Sequence, residues 1–216
     1  SWGQHTAVLL GDYVFAASAT YVCSTGNIRV IKRFSETIMD LSRGQMQETA
    51  NSRDIKNGMD DYLERIYFKT ASLFSTSGES GAILSGASES IVQSLKTYSE
   101  KIGLAFQVVD DVLDITGTPQ EIGKPVGSDL LNGVITLPTI YAIEDSGCRK
   151  KVGLFLEDPS NTELHSEIVD LIKHSDVGER SYKYADQLVE EAKLSLESLE
   201  DNDCKKSLLD LADFII

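Results

Sequence analysis

The sequence predicts an all-α protein, and three observations carry the prediction. Apolar residues recur at helical spacing along nearly the whole length, and no segment sustains a period-two alternation. Glycine and proline gather in short windows between the periodic segments. The chain has 216 residues, 41% apolar and 25% charged, which suits one well-buried globular domain over residues 1–216 and is short for two.

Charge and cysteine usage narrow the function classes. With 20 Lys plus Arg against 34 Asp plus Glu, the net charge of −14 argues against a nucleic-acid partner. Cys23, Cys148 and Cys204 are odd in number, far apart and without metal-ligand spacing, so they read as free thiols in a reducing compartment, and a cytoplasmic location is expected. No apolar run reaches the roughly 20 residues that span a bilayer, so no transmembrane segment is expected. The opening residues read as the middle of a protein, as if the sequence begins at an internal cut.

From the N-terminus, Ala7 to Val22 is almost wholly apolar, interrupted by Gly11-Asp12, and is expected to be a central, buried helix. A turn at Thr25-Gly26-Asn27 starts a second helix whose apolar face is Val30, Ile31, Phe34, Ile38 and Leu41, and which continues through Glu48. Residues 51–58 form a polar connection. Asp60, Asp61 and Glu64 then place negative charge in the first turn of a third helix, where the helix dipole favours it. This helix carries Lys69-Thr70-Ala71-Ser72 among Tyr67, Phe68, Leu73 and Phe74; a lysine there is either snorkelling or a buried cation awaiting an anion. The small residues of 75–90 suit close helix packing. Ile91 to Ile115 forms the long central helix. Thr116 to Thr136 is rich in glycine and proline and reads as a long ordered loop, the kind that tends to be functional. Its Lys124 is either an exposed lysine or one that closes over a bound anion. Thr139–Ile143, Val152–Leu156, Leu164–Ile172, Tyr182–Leu199 and Lys206–Ile216 are amphipathic helices, and His165 and His174 are expected on their solvated surfaces.

The chemistry is concentrated in Phe106-Gln107-Val108-Val109-Asp110-Asp111-Val112-Leu113-Asp114. Gln107, Asp110, Asp111 and Asp114 fall at i, i+3, i+4 and i+7, so one helix face gathers three carboxylates. An acidic triplet on a helix is often solvated surface. Here the flanks are apolar and the helix reads as buried nearly all round, and a buried helix does not keep unpaired carboxylates without a partner. A hard divalent cation resolves the repulsion. Mg²⁺ takes one or two carboxylates and completes its shell with water and phosphate oxygens, so the residues alone predict a metal-bridged diphosphate site.

Taken together, Gly11-Asp12-Tyr13, Lys69-Thr70-Ala71-Ser72-Leu73, Gly103 to Asp114, Gly123-Lys124-Pro125-Val126-Gly127-Ser128-Asp129-Leu130 and Thr136-Leu137-Pro138 resemble the trans-type polyprenyl diphosphate synthases. The likeness covers essentially the whole chain and is strongest to the medium- and long-chain branch. It implies an all-α helical bundle of the isoprenoid synthase type around a central cavity, here without its N-terminal helices, and usually a homodimer. It implies a prenyltransferase of isoprenoid biosynthesis that elongates an allylic diphosphate with isopentenyl diphosphate. Mg²⁺-assisted ionisation gives an allylic cation, the isopentenyl double bond attacks it, and diphosphate takes the proton.

Carried over by this resemblance, Asp110 is the principal metal ligand, with Asp111 and Asp114 supporting the metal and its waters. Lys69 and Lys124 grip the allylic diphosphate, Thr70 and Gln107 turn oxygen dipoles to the cation, and Phe106 lines the pocket. The chain departs from the pattern in three ways. The first aspartate-rich motif and the basic residues for isopentenyl diphosphate would precede Ser1, so no turnover is expected of residues 1–216 alone. Gly44-Gln45-Met46-Gln47-Glu48 stands where the family often has Gly-Glu-x-x-Gln, and Val134 stands where a lysine often follows glycine. Two alternatives accompany this reading, a non-catalytic partner subunit of a heteromeric synthase and a class I terpene cyclase.

Overall fold

A computed structural model describes residues 3–118, 123 and 125–216. Among them the regular structure is helical, with no strand, as the periodicity predicts. α1 spans Gln4–Ser24 and α2 Ile28–Ala50; Asn27 caps α2 by accepting the Val30 N–H. α3, Met59–Ile66, runs into a π-helical turn over Tyr67–Ala71, and the path resumes as α4, Ser72–Leu84. The long α5, Glu89–Thr116, is the axis of the molecule, flanked on one side by α4 and on the other by α10 (Val177–Ser195). Between them come α6 (Ser128–Leu131), α7 (Leu137–Ala142), α8 (Ser146–Glu157) and α9 (Thr162–Lys173), and α11 (Asp203–Phe214) closes the order.

Apolar burial divides into two linked cores. One joins Tyr62 and Ile66 of α3 to Ile102, Ala105 and Val108 of α5 and to Leu188, Val189 and Leu196. The other gathers Ile115, Leu130, Ile135, Val152, Phe155, Ile168 and Val177 around the C-terminal end of α5. Ile140 and Tyr141 pack against both. The later helices begin up to six residues before their apolar stripes, because Asp145, Asn161 and Asn202 accept backbone N–H groups at the starts of α8, α9 and α11.

Four expectations are corrected. α1 is not buried: none of its residues is, and Tyr13 is 74% and Tyr21 76% exposed. Its packing is against α2, including a stack of Phe15 on Phe34 at 6.2 Å, so one helix neighbour covers one narrow face. α1 is also a 21-residue helix with mean hydropathy 1.3, long and apolar enough by those two measures to cross a membrane, although its sequence is broken by polar residues. Apolar core helices have the same composition. α5 is not covered all round, since Phe106, Asp110 and Leu113 form an open stripe. Finally, His165 is buried rather than solvated, tilted against Phe155 with ring centroids 5.3 Å apart and within 3.0 Å of the Gly127 carbonyl, where it pins the loop before α6.

Candidate active site

The site is assembled where α5 loses its neighbours. α2, the π-turn, the C-terminal half of α5 and the segment 129–136 enclose a polar cleft of about 440 Å³. α2 contributes Glu48, α3 Arg65, the π-turn Lys69, and α5 Gln107, Asp110 and Asp111; Asp129, Asn132, Val134 and Thr136 face them. Two cations thus share a cavity with four carboxylates.

The backbone explains how Lys69 and Thr70 enter this space. The π-turn inserts one residue into the helical path between α3 and α4 and rotates the chain beyond it, a device common at functional sites. Neighbouring helices come close enough to hold it. A Cβ at Gly44 of α2 would lie 2.6 Å from the Lys69 backbone nitrogen, and one at Gly103 of α5 would lie 2.7 Å from Ala71 Cα. Only glycine at both positions lets α2 and α5 close on the turn.

From the turn, polar contacts run in series across the cleft. Thr70 donates its hydroxyl to Gln107 Oε1 at 2.7 Å, and Gln107 Nε2 donates to Asp111 Oδ1 at 2.9 Å. Tyr62 donates to the other oxygen, Oδ2, at 2.7 Å. Asp111 is nevertheless pushed up to about 7, because burial outweighs those two donors, and Asp129 nearby adds repulsion. Burial likewise raises the Tyr62 phenol well above its ordinary value, and the Asp111 charge adds to it.

Asp110 is the exposed carboxylate of the pair and borders two spaces. Beside the polar cleft lies a mostly apolar pocket of about 400 Å³, lined by Phe74, Ile102, Phe106, Val109 and Leu113 together with Leu211, Phe214 and Ile215, and Asp110 belongs to both. Phe74 and Phe106 pack at 5.8 Å along its wall.

The structure separates the residues that the sequence had grouped. Lys69, Gln107, Asp110 and Asp111 meet in the cleft, Thr70 touches it through Gln107, and Phe106 lines the adjoining pocket. Asp114 lies elsewhere: it is 1% exposed, and its carboxylate accepts the Ser128 hydroxyl at 2.7 Å and the Asp129 N–H at 3.1 Å, so it ties α6 to α5. Lys124 lies outside the described residues. Val134, where a lysine was expected by resemblance, faces the cleft as an apolar residue.

Reading from sequence missed Tyr62, Arg65 and Glu48. Arg65 is buried and donates from Nη2 to the Ile135 carbonyl at 2.7 Å, which fixes its charge at the cleft wall. The signal was present in their spacing, since Tyr62, Arg65 and Lys69 recur at helical intervals on one face. The apolar wall supplied by α11 had no signal, because it is remote in sequence.

The donor set fits a hard cation. Asp110, Asp111 and Asp129 offer carboxylate oxygens, the ligands Mg²⁺ prefers. Among the described residues no three acidic, histidine or cysteine groups are close enough to enclose a metal by themselves. A cation held here would take the rest of its shell from water and phosphate oxygens.

Comparison with known proteins places this geometry in context. The profile of the family described as polyprenyl synthetase matches residues 1–172. Heptaprenyl diphosphate synthase component 2 of Geobacillus stearothermophilus is 35% identical over 214 residues, 99% of this chain and 67% of that protein. Solanesyl-diphosphate synthase 2, chloroplastic, of Oryza sativa subsp. japonica is 36% identical over 199 residues, 92% of this chain and 48% of that protein. Among solved structures, heptaprenyl diphosphate synthase from Staphylococcus aureus superposes with a TM-score of 0.96 at 33% identity, covering 99% of this chain and 67% of that one. Polyprenyl synthase from Caulobacter crescentus CB15, complexed with calcium and isoprenyl diphosphate, superposes with a TM-score of 0.92 at 30% identity, covering 99% and 66%. This chain thus spans about half to two thirds of the length of these relatives. An all-helical frame, an aspartate pair facing a lysine on a π-turn, and a family profile matched from residue 1 to residue 172 agree, and the chain belongs to the polyprenyl synthetase family.

Proposed function

We propose that this chain provides the diphosphate-binding half of a chain-elongating prenyltransferase, which condenses an allylic diphosphate with isopentenyl diphosphate to a linear polyprenyl diphosphate. The observation that carries the proposal is the junction at Asp110, where a charged cleft opens into an apolar pocket. A prenyl diphosphate has that polarity, a highly charged head on a hydrocarbon chain.

Each residue then has a task. Asp110, with Asp111 and Asp129, would hold Mg²⁺, which when bound neutralises charge developing on the leaving diphosphate. Lys69 and Arg65 add fixed positive charge on the opposite wall. As the allylic C–O bond breaks, its electron pair leaves with the diphosphate. The isopentenyl double bond supplies the electrons of the new C–C bond, and the proton lost from its C2 passes to diphosphate. Thr70 and Gln107, hydrogen-bonded to each other and through Gln107 to Asp111, would turn oxygen dipoles to the developing positive carbon. Phe106, Val109 and Leu113 offer the growing chain an apolar wall.

Assembly belongs to the same reading. A homodimer is the simplest arrangement, and a heteromeric synthase with an unlike partner is the second. The second is favoured by the name component 2 carried by the relatives from Geobacillus stearothermophilus and Bacillus subtilis, 35% and 31% identical.

The test is an elongation assay on the protein that carries this chain, with Mg²⁺, farnesyl diphosphate and radiolabelled isopentenyl diphosphate, and the mass in solution followed by light scattering. Linear labelled polyprenyl diphosphate is expected, with kcat reduced at least roughly 100-fold in Asp110→Ala. Cyclic hydrocarbon as the product would replace the transferase by a cyclase. Activity that needs a second protein and survives Asp110→Ala would assign this chain the non-catalytic role.

A further inference from the structure

The cation that this reading assigns to the substrate is already engaged. Lys69 Nζ lies 2.7 Å from Glu48 Oε1 and 2.6 Å from Glu48 Oε2, a two-pronged ion pair inside the cleft. The Glu48 side chain is 16% exposed and that of Lys69 39%, so the pair is partly desolvated. The contact is built into the fold. Gly44, one turn before Glu48 on α2, is the residue whose missing side chain lets α2 touch the Lys69 backbone. Gln45 Nε2 lies 3.2 Å from Glu48 Oε1 and steadies the carboxylate from the same helix. Glu48 also sits at the fifth position of Gly44-Gln45-Met46-Gln47-Glu48, a neutral glutamine in the pattern that the chain resembles.

We propose that Glu48 is a counter-ion lock on Lys69, a residue that sets the affinity for diphosphate by competing with it. The proposal rests on the diphosphate reading of the cleft. An entering diphosphate takes Lys69 from Glu48 because it carries more negative charge than a carboxylate. The exchange frees the Glu48 charge in a cleft that also holds Asp110, Asp111 and Asp129. That excess is tolerated only when divalent cation arrives with the anion, so the lock couples diphosphate binding to metal. It also speeds the return of the cleft to its resting state when product diphosphate leaves, since Lys69 has a partner waiting.

The sign of the effect separates a lock from a merely structural ion pair. Glu48→Gln keeps the shape and a hydrogen bond to Lys69 but removes the competing charge. In the protein that carries this chain, inorganic pyrophosphate titrated calorimetrically at several Mg²⁺ concentrations is expected to bind Glu48→Gln about 5- to 10-fold more tightly than wild type, with a weaker dependence on Mg²⁺. Glu48→Ala, read in parallel, is expected to move in the same direction. In steady-state assays KM for the allylic diphosphate falls without a rise in kcat. Unchanged or weaker pyrophosphate binding in both folded variants, beside normal binding by wild type, overturns the lock and leaves the site reading standing. If wild type binds no Mg²⁺–pyrophosphate, the diphosphate reading itself fails and the lock with it.

Discussion

At the scale of single residues, the decisive feature is that adjacent aspartates have opposite environments. Asp110 is exposed and shared by two cavities, whereas Asp111 is buried between Gln107 and Tyr62. Burial raises Asp111 from an ordinary value of 3.8 to about 7, so the folded protein binds this proton more tightly than the unfolded chain does. The stability that protonated Asp111 provides is fully present below about pH 4 and is lost as pH rises through about 7. In metal-free protein this one group should cost roughly 4 kcal/mol between those limits, and Asp111→Asn should flatten that part of the profile. Urea denaturation of wild type and variant across the range measures the difference; parallel profiles would mean that Asp111 titrates in the folded protein as it does in the unfolded chain. The sequence announced both aspartates through their spacing. It did not announce which would be buried, because burial of Asp111 depends on α3, which lies about fifty positions earlier and brings Tyr62 against it.

Among the elements, the π-turn matters most for the site, and its geometry depends on glycines in helices that are distant in sequence. Gly44 and Gly103 press on Lys69 and Ala71 from opposite sides. Gly44→Ala puts a methyl group where 2.6 Å separates it from backbone, so the turn must move. The expected result is a loss of roughly 1–3 kcal/mol in stability together with at least a tenfold fall in kcat/KM. Thermal melts and steady-state kinetics on the same samples test this, and wild-type kinetics would show that the turn tolerates the shift. Helix periodicity alone carried the third helix from Asp60 past Lys69 to Phe74 without a break; the inserted residue is invisible to it because the apolar pattern resumes after the turn. α1 shows the reverse problem. Its apolar composition correctly indicated a helix and wrongly implied burial, since burial depends on what is available to pack and here α2 covers one side.

For the whole molecule, the two cores hold α5 along its middle and at its C-terminal end, while the cleft beside it accumulates carboxylates that repel one another. A ligand that neutralises the cleft should therefore stabilise the entire fold. Mg²⁺ with pyrophosphate at about 100 times its dissociation constant is expected to add roughly 2.7 kcal/mol, or about 5–11 °C in melting temperature, and pyrophosphate without metal much less. Differential scanning fluorimetry with each component alone and both together checks it. Equal shifts with and without Mg²⁺ would argue against a metal-bridged site.

The sequence by itself determined the helical class, the order of the longer helices, and the Gln107, Asp110 and Asp111 face that the site is built on. These arise from local spacing: period 3.6 selects helix, and i, i+3, i+4 places Gln107, Asp110 and Asp111 on one face. Tertiary structure alone decided which of those groups face the cleft. The same spacing put Asp114 on that face, yet α6 folds back onto it and captures its carboxylate through Ser128 and the Asp129 N–H. His165 was drawn into the core by the Gly127 carbonyl, and Lys69 was claimed by Glu48, 21 positions away. In each case a polar group's state depends on whether a distant segment supplies a partner as water is removed, and helical period carries no information about that.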